Sequence, residues 1–302
     1  MQEKLSQEVC RAVLEGLPTP VYLVDRDRRI LLWNAGAEKL TGYLRHEVIG
    51  RCCRDDLLIH CNEDRSCLCG TACPLQQTMH DGHPRKAEVF LLHKDGHRVP
   101  VTVHAVPLRD ESGTIIGAVE CFSGRIIFPA ADPALHKLSQ SASVDELTGL
   151  PDHPATLVRL QAYLEGYAAS PVPFGVVCVA IDRLELLRDA DGSRAVDTVL
   201  RVTGRTLAGT LGPNDMIGRW PEDRFLAVVT ACTAPNLVRA ATMMKRLASL
   251  EGIPWWGDRL SVTLSMGGTI VEAGDTPETL VARADAALES SLLQSEDRVV
   301  VV

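Results

Sequence analysis

The chain has 302 residues, of which 46% are hydrophobic and 23% are charged, so it is long enough for two globular domains of ordinary size. The net charge of −8, with acidic and basic residues mixed along the chain, argues against a protein that binds nucleic acid through phosphate contacts. No apolar run approaches the roughly 18 residues of a membrane-spanning helix, and the N-terminus lacks an apolar signal-peptide core. We therefore expect a cytoplasmic protein with neither a membrane nor a nucleic-acid partner.

The first 124 residues predict a small α+β module. Apolar residues at helical spacing predict a helix over residues 4–16, and short strands follow at Val21–Val24 and Arg29–Trp33. Small helices are expected from Ala37 onward. Three further strands, separated by Asp- and Gly-rich turns, predict an antiparallel meander over Ala87–His93, Arg98–Leu108 and Ile115–Phe122.

Six of the ten cysteines lie between residues 52 and 73, inside an insert that we place at residues 52–75. Thiolates and imidazoles bind zinc and iron–sulfur clusters, and ligands a few residues apart form a chelate. The predicted ligands are Cys53, His60, Cys69 and Cys73, with Cys52, Cys61 and Cys67 as alternates. Two other interpretations stay open, a metal-free dithiol–disulfide switch and purely structural cysteines. The remaining candidates are interpreted as surface or strand histidines: His80, His83, His93, His97 and His104.

The second half of the chain alternates helices and strands after a linker at residues 125–143, which contains a predicted helix over Pro133–Ser141. The predicted helices are Pro154–Tyr167, Arg194–Gly209, Pro235–Leu250 and Pro277–Leu293. The predicted strands are Phe174–Ile181, Met216–Trp220, Phe225–Thr230, Leu260–Val271 and Arg298–Val302. This alternation predicts an α/β layered domain over residues 144–302.

The N-terminal half resembles a PAS sensor domain over residues 8–124. Four segments carry the resemblance: Leu17–Val21, Trp33-Asn34, Ala37–Tyr43 and Val48–Arg51. It implies an antiparallel five-stranded sheet with helices, which senses redox state, oxygen, a metal or a small ligand.

The C-terminal half resembles a GGDEF domain, which has a nucleotide-cyclase-like α/β fold. Asp145–Pro151 is similar to the opening of such domains, and Ser265–Gly268 and Ala284–Leu288 are similar to a late strand and the last helix. Arg219–Phe225 falls where the signature hairpin belongs. Active members condense two GTP molecules into cyclic di-GMP with the help of magnesium ions.

The sequence departs from this family at the positions that carry its chemistry. The resemblance places a metal-binding aspartate at Ala180, a phosphate-binding lysine at Glu185 and a guanine-binding asparagine at Arg188. Magnesium requires oxygen ligands, so Ala180 removes one.

In the hairpin, Pro221 and Glu222 replace two glycines, whose freedom to adopt positive φ the turn uses. Asp223 and Phe225 match the family, but Arg224 replaces a metal-binding carboxylate. We therefore predict no catalytic residues.

A few family positions are retained. The predicted remnant of a nucleotide site consists of Asp182, Gly192, Asp197 and Asp223. Asp215 also matches the inhibitory product site of the family, but Gly212 replaces the arginine of that site.

Three functional hypotheses follow. In the first, the PAS domain senses a signal and an inactive GGDEF domain serves as a dimerisation or docking output, with a protein partner in cyclic di-GMP signalling. The second is an active or divergent diguanylate cyclase that needs magnesium and GTP and uses Asp182, Asp197 and Asp223. The third is an effector that binds GTP without turnover. Because both families commonly form dimers, we expect a homodimer.

Overall fold

The computed structural model describes residue 9 and residues 12–55, 57–64, 66–70, 72–124, 143–249, 251–255, 258–294 and 297–302. The chain divides into two compact units, Met1–Ile126 and Ile127–Val302. Residues 12–16 are helical, as predicted. The start of the predicted helix over residues 4–16 and the predicted linker helix lie outside the described residues. No helix in the described part of the chain combines the length and the apolar character that crossing a membrane requires.

The N-terminal unit is built on an antiparallel five-stranded sheet. Its strands are β1 (Val21–Asp25), β2 (Ile30–Trp33), β3 (Arg85–Leu92), β4 (Arg98–Arg109) and β5 (Ile115–Gly124), and they lie in the order β2-β1-β5-β4-β3. Its helices are α1 (Ala35–Thr41), α2 (Arg45–Val48) and α3 (Pro74–Asp81). The predicted strands and the meander are confirmed, because their apolar residues alternate with the period of a half-buried sheet.

Asn34 connects the first segments of this unit through its side-chain amide. Its Oδ1 accepts hydrogen bonds from Ala37 N at 2.9 Å, which caps α1, and from Val21 N at 3.0 Å in β1. Its Nδ2 donates to three carbonyl oxygens of the preceding segment, those of Leu14, Leu17 and Thr19. One buried amide therefore fixes the helical turn, the first strand and the first helix relative to each other.

The C-terminal unit is an α/β domain around a second five-stranded sheet. The sheet strands are β6 (Gly175–Ile181), β7 (Met216–Trp220), β8 (Arg224–Val229), β11 (Leu264–Ile270) and β12 (Val299–Val301), in the order β12-β11-β6-β8-β7. A separate antiparallel pair consists of β9 (Glu251–Trp255) and β10 (Asp258–Ser261). The helices are α4 (His153–Ala169), α5 (Leu184–Asp191), α6 (Ser193–Thr210), α7 (Ala234–Ala248) and α8 (Pro277–Gln294).

One prediction for this unit was wrong, and two of its elements were missed. Residues 260–271 do not form one strand, because the chain leaves β10 after Ser261 and enters β11 at Leu264 in a different sheet. At this break, Thr263 O accepts a hydrogen bond from Asp182 N at 3.0 Å. Helix α5 and strand β9 were not predicted. The apolar residues Leu184 and Leu187, three positions apart, are the sequence signal for α5.

Candidate functional site

A cleft of about 490 Å³ lies where β6 ends, α5 begins and the β7–β8 hairpin turns. We call it the signature cleft. Its lining consists of residues 180–186, residues 222–224 and Leu292. The cleft therefore collects most of the positions at which the sequence departs from the family pattern.

The β7–β8 hairpin turns tightly without a glycine. Trp220 pairs with Arg224 across the turn, and the intervening Glu222 and Asp223 have φ of 58° and 59°. An L-residue in this left-handed region costs about 1–2 kcal/mol. The turn therefore adopts positive φ at positions 222 and 223 without a glycine.

Two arginines hold Asp223. Arg188 Nη2 donates to its Oδ2 at 2.7 Å, and Arg219 Nη2 donates to its Oδ1. Arg188, at the position where the resemblance places a guanine-binding asparagine, thus reaches from α5 to the hairpin. Since both carboxylate oxygens of Asp223 already accept charge-assisted hydrogen bonds, a metal ion would have to compete with two guanidinium groups.

Arg224 places a fixed positive charge beside the cleft. Its Nη1 lies 3.5 Å from Asp285 Oδ1 in α8, and its Nη2 lies 3.3 Å from Glu222 Oε2. The side chain is 23% exposed. A guanidinium group stays protonated at physiological pH, so the position offers neither a lone pair nor a negative charge to a cation.

The end of β6 contributes one carboxylate, that of Asp182, and one of its two oxygens is engaged in hydrogen bonds. Asp182 is 6% exposed. Its Oδ2 accepts hydrogen bonds from Thr263 Oγ1 at 2.6 Å and from Asp297 N at 3.1 Å, while its Oδ1 has no hydrogen-bond partner. Asp182 therefore connects the end of β6 to two distant segments of the chain, and Ala180 beside it supplies no ligand.

The other retained positions lie outside the lining of the signature cleft. Gly192, at φ 80°, joins α5 to α6, and Asp197 lies half-buried on α6. Asp215 accepts hydrogen bonds from Gly212 N and from Thr230, all at 2.8 Å. Of the predicted nucleotide-site remnant, the structure places Asp182 and Asp223 in the cleft and Gly192 and Asp197 away from it. Glu185 lies at the cleft and pairs with Arg188 at 3.5 Å.

Family models match both halves of the chain. A model of the PAS fold matches residues 9–122, and a model described as diguanylate cyclase, GGDEF domain, matches residues 142–298. The chain belongs to the GGDEF family. It carries a PAS domain followed by a GGDEF domain, and both predicted resemblances are confirmed.

Curated relatives include diguanylate cyclases of much greater length. "Probable diguanylate cyclase DgcE" of Escherichia coli is 23% identical over 308 residues, which cover 100% of this chain and 27% of that protein. Diguanylate cyclase DgcP of Pseudomonas aeruginosa is 29% identical over 162 residues, which cover 53% of this chain and 24% of that protein. The chain thus spans about a quarter of the length of these relatives.

Solved structures share the fold of the GGDEF domain. The structure of diguanylate cyclase SiaD of Pseudomonas aeruginosa, in complex with its activator SiaC, is 26% identical, with a TM-score of 0.53. The match covers 56% of this chain and 65% of the SiaD chain. The structure of the coiled coil and GGDEF domain of DgcB from Caulobacter crescentus is 20% identical, with a TM-score of 0.51. The match covers 56% of this chain and 90% of the DgcB chain. The second likeness shows the fold alone.

In the PAS domain, the cysteine-rich insert places two predicted ligands in the core. Cys53 and Cys73 are 7% and 5% exposed. Burial, followed in effect by the nearby Glu120 carboxyl group, raises the pKa of the Cys53 thiol. Burial also raises the pKa of the Cys73 thiol and raises that of Cys69 to about 12. These thiols are therefore weak nucleophiles at neutral pH in this conformation.

His60 is also buried, at 5% exposure, and its Nε2 has no hydrogen-bond partner. Burial and the charge of Arg98 lower the pKa of His60 to about 4. A neutral imidazole with an unpartnered nitrogen is chemically suited to bind a metal. Within the described residues, however, no three of the predicted ligands Cys53, His60, Cys69 and Cys73 bring their ligand atoms within 4.8 Å of one another. The described conformation is therefore not a preformed metal site, and the metal site stays a prediction.

The three alternate ligands lie in the same cysteine-rich insert. Cys52 Sγ donates to Asp27 O at 3.6 Å, Cys61 is buried and pairs with Phe90 through its backbone, and Cys67 is exposed. Cys67 also forms a side-chain hydrogen bond with Cys69.

The structure adds two groups that sequence reasoning missed. Glu120 on β5 is 1% exposed and accepts a hydrogen bond from Tyr22 Oη at 2.5 Å. Arg28 is 8% exposed and donates to Cys69 O at 3.1 Å and to Gln76 Oε1 at 3.2 Å, which ties the β1–β2 turn to the insert. The alternation of β5 could have indicated Glu120, because position 120 shares a sheet face with Phe122.

Proposed function

We propose that this PAS–GGDEF signalling protein does not synthesise cyclic di-GMP and that its GGDEF domain is a non-catalytic output, which dimerises or docks a protein partner under control of the PAS domain. The observation that carries the proposal is Arg224, ion-paired with Asp285 and located where the resemblance expects a metal-binding carboxylate.

Electrostatics supports this proposal. A diguanylate cyclase reaction depends on magnesium ions to neutralise triphosphate charge, and magnesium is bound through carboxylates. Ala180 offers no oxygen, Arg224 repels a cation, and both oxygens of Asp223 are engaged by arginines. The loss of ligands from both sides of a two-metal site removes several kcal/mol of transition-state stabilisation, and each 1.4 kcal/mol is about tenfold in rate.

The test is incubation of the full chain with GTP and either Mg²⁺ or Mn²⁺, with chromatographic and mass-spectrometric detection of products. We expect no cyclic dinucleotide, and its formation at a rate above the blank would overturn the proposal. A matched variant carrying Ala180→Asp, Pro221→Gly, Glu222→Gly and Arg224→Glu restores the signature and serves as the comparison.

Two alternatives use the same cleft. A divergent cyclase built on Asp182, Asp197 and Asp223 would require Asp197 to reach the cleft, whose lining does not include it. A GTP-binding effector needs only the open volume of about 490 Å³. Calorimetric titration with GTP and with cyclic di-GMP separates binding from turnover, and the absence of heat with both removes the effector hypothesis.

We further propose that the PAS domain senses redox state, oxygen or a metal through its cysteine insert, loaded with an iron–sulfur cluster or zinc. The buried unpartnered nitrogen of His60 and the core positions of Cys53 and Cys73 support this proposal. Anaerobic purification followed by iron, sulfide and zinc analysis tests the proposal, and a metal-free product would contradict it.

A further inference from the structure

The hairpin between β3 and β4 brings two histidines together outside the insert. His93 N donates to His97 O at 2.9 Å, and Gly96 N donates to His93 O at 2.8 Å, so residues 93 and 97 face each other across a tight turn. Gly96 has φ of 92°, which a glycine adopts at little cost. The two imidazole rings lie 4.2 Å apart between centroids, with 26° between their planes.

A carboxylate completes this group at the tip of the turn. The ligand atoms of His93, Asp95 and His97 all lie within 4.8 Å of one another. His93 Nδ1 is 3.7 Å from Asp95 Oδ2 and accepts a hydrogen bond from Asp95 N at 3.0 Å. The His93 side chain is 14% exposed and that of Asp95 is 55% exposed. The imidazoles are therefore half-buried, and the carboxylate approaches from the solvent side.

Contacts with the helices hold the hairpin in place. Lys94 N donates to Thr41 O at 2.9 Å, and Lys94 Nζ pairs with Glu47 Oε1 at 2.5 Å. The His93 ring packs so closely on Gly42 that a Cβ there would lie 2.4 Å from Cε1 of the ring. The lysine of the turn is thus neutralised by Glu47, and its charge does not oppose a cation at the histidines.

We propose that His93, Asp95 and His97 bind a divalent transition-metal ion such as Zn²⁺. Two imidazoles and one carboxylate form a donor set that zinc accepts, with bonds of about 2.0–2.2 Å. The ligand atoms of a tetrahedral site of that size lie about 3.3 Å apart. Rotation of the exposed Asp95 side chain and small shifts of the two half-buried imidazoles therefore close the group. Three protein ligands leave a fourth position of the ion for water or another ligand.

This site is independent of the GGDEF signature and of the cysteine insert. The proteins compared in the experiment therefore all retain the cysteine insert, so that Zn²⁺ bound there contributes equally to each titration. Metal-free full-length protein is titrated with Zn²⁺ by calorimetry, as wild type, as the double variant His93→Gln/His97→Gln and as the control His83→Gln/His104→Gln. The control histidines are exposed residues of the same domain outside the group.

We expect the double variant to bind one equivalent of Zn²⁺ fewer than the wild type and the control. Asp95→Asn should weaken that site at least about tenfold, since even indirect support of a metal ligand is worth 10–100-fold. In wild-type protein labelled with ¹⁵N-histidine, the imidazole signals of His93 and His97 should shift on Zn²⁺ addition.

Equal stoichiometry and affinity in the wild type and the double variant would overturn the proposal. If the double variant does not fold, the labelled wild-type protein decides, because unmoved His93 and His97 signals at saturating Zn²⁺ equally refute the site.

Discussion

Glu120 places a carboxyl group inside the PAS domain, opposite Tyr22 on the neighbouring strand. Its Oε2 accepts a hydrogen bond from the Tyr22 hydroxyl group, and its Oε1 is buried without a hydrogen-bond partner. Burial raises the pKa of Glu120 from 4.5 to about 7, although the Tyr22 hydrogen bond lowers it. The thiols of Cys53 and Cys73 also lie within electrostatic range of this carboxyl group. The Glu120 carboxyl group, and with it the charge inside the PAS domain, therefore changes near neutral pH.

This shift predicts a pH dependence of stability. Between pH 4.5 and about 7 the folded protein holds the Glu120 proton while the unfolded chain has lost it, so the free energy of unfolding falls as pH rises. The full effect is about 3 kcal/mol. We expect Glu120→Gln to lack this slope in urea unfolding measured from pH 4 to pH 8.

The comparison is made as the difference between wild type and variant. His60, whose lowered pKa gives the opposite slope between about pH 4 and 6.5, cancels in that difference. Parallel pH profiles for the two proteins would contradict the assignment to Glu120.

Thiol exposure within the PAS insert gives a second prediction at this scale. Cys67 is exposed, whereas Cys53 is buried and has a raised thiol pKa. Because the thiolate is the reactive form, iodoacetamide at pH 8 should modify Cys67 first and Cys53 only after unfolding. Peptide mass spectrometry over time measures this order. Cys178, buried in the GGDEF domain, serves as the protected reference, and labelling of Cys53 as fast as Cys67 would contradict the described insert.

At the scale of elements, the GGDEF domain depends on the close packing of α8 against β11. A Cβ added at Gly267 would lie 1.9 Å from Leu288 N and 2.4 Å from Ala284 O, both backbone atoms of α8. Backbone cannot rotate away as a side chain can. The helix therefore lies directly on the strand only because position 267 has no side chain.

Gly267→Ala should accordingly lower the free energy of unfolding by about 3 kcal/mol, the upper end of the usual cost of overpacking, because backbone atoms would have to move. The matched control is Gly166→Ala on α4, where no atom lies within 4 Å of the added Cβ. In a helix interior that replacement should stabilise by about 0.5–1 kcal/mol. Denaturant unfolding measures both variants, and a neutral Gly267→Ala would show that α8 packs less closely.

At the scale of the whole molecule, each unit has its own hydrophobic core. One core surrounds Trp33, Tyr22 and Phe122 in the PAS domain, and others surround Phe225 and Leu160 in the GGDEF domain. Fragments 1–126 and 127–302 should therefore fold separately, each with a cooperative thermal transition in circular dichroism. A fragment without a transition would show that its core requires the other unit.

Much of the fold followed from sequence periodicity. The alternation of Val99, Val101 and Val103 predicted β4, and the four helices predicted for the second half correspond to α4, α6, α7 and α8. The failures have a physical reason. In residues 260–271 the apolar residues Leu260, Val262 and Leu264 alternate with polar ones, a pattern that does not indicate which sheet each residue joins. Thr263, which is hydrogen-bonded to Asp182, marks the place where the chain leaves one sheet for the other.

The sequence by itself determined the family of each domain and the identity of the side chains at the signature positions, because these depend on local order along the chain. Only the tertiary structure decided what those side chains contact. It paired Arg188 with Asp223 and Arg224 with Asp285, buried Glu120 against Tyr22, and assembled His93, Asp95 and His97 at one turn. The pairings of Arg188, Arg224 and Glu120 join residues distant in sequence, and the histidine group needs the register of β3 with β4. Burial, charge pairing and ligand geometry are properties of chain segments brought together by folding, which periodicity and motif spacing do not contain.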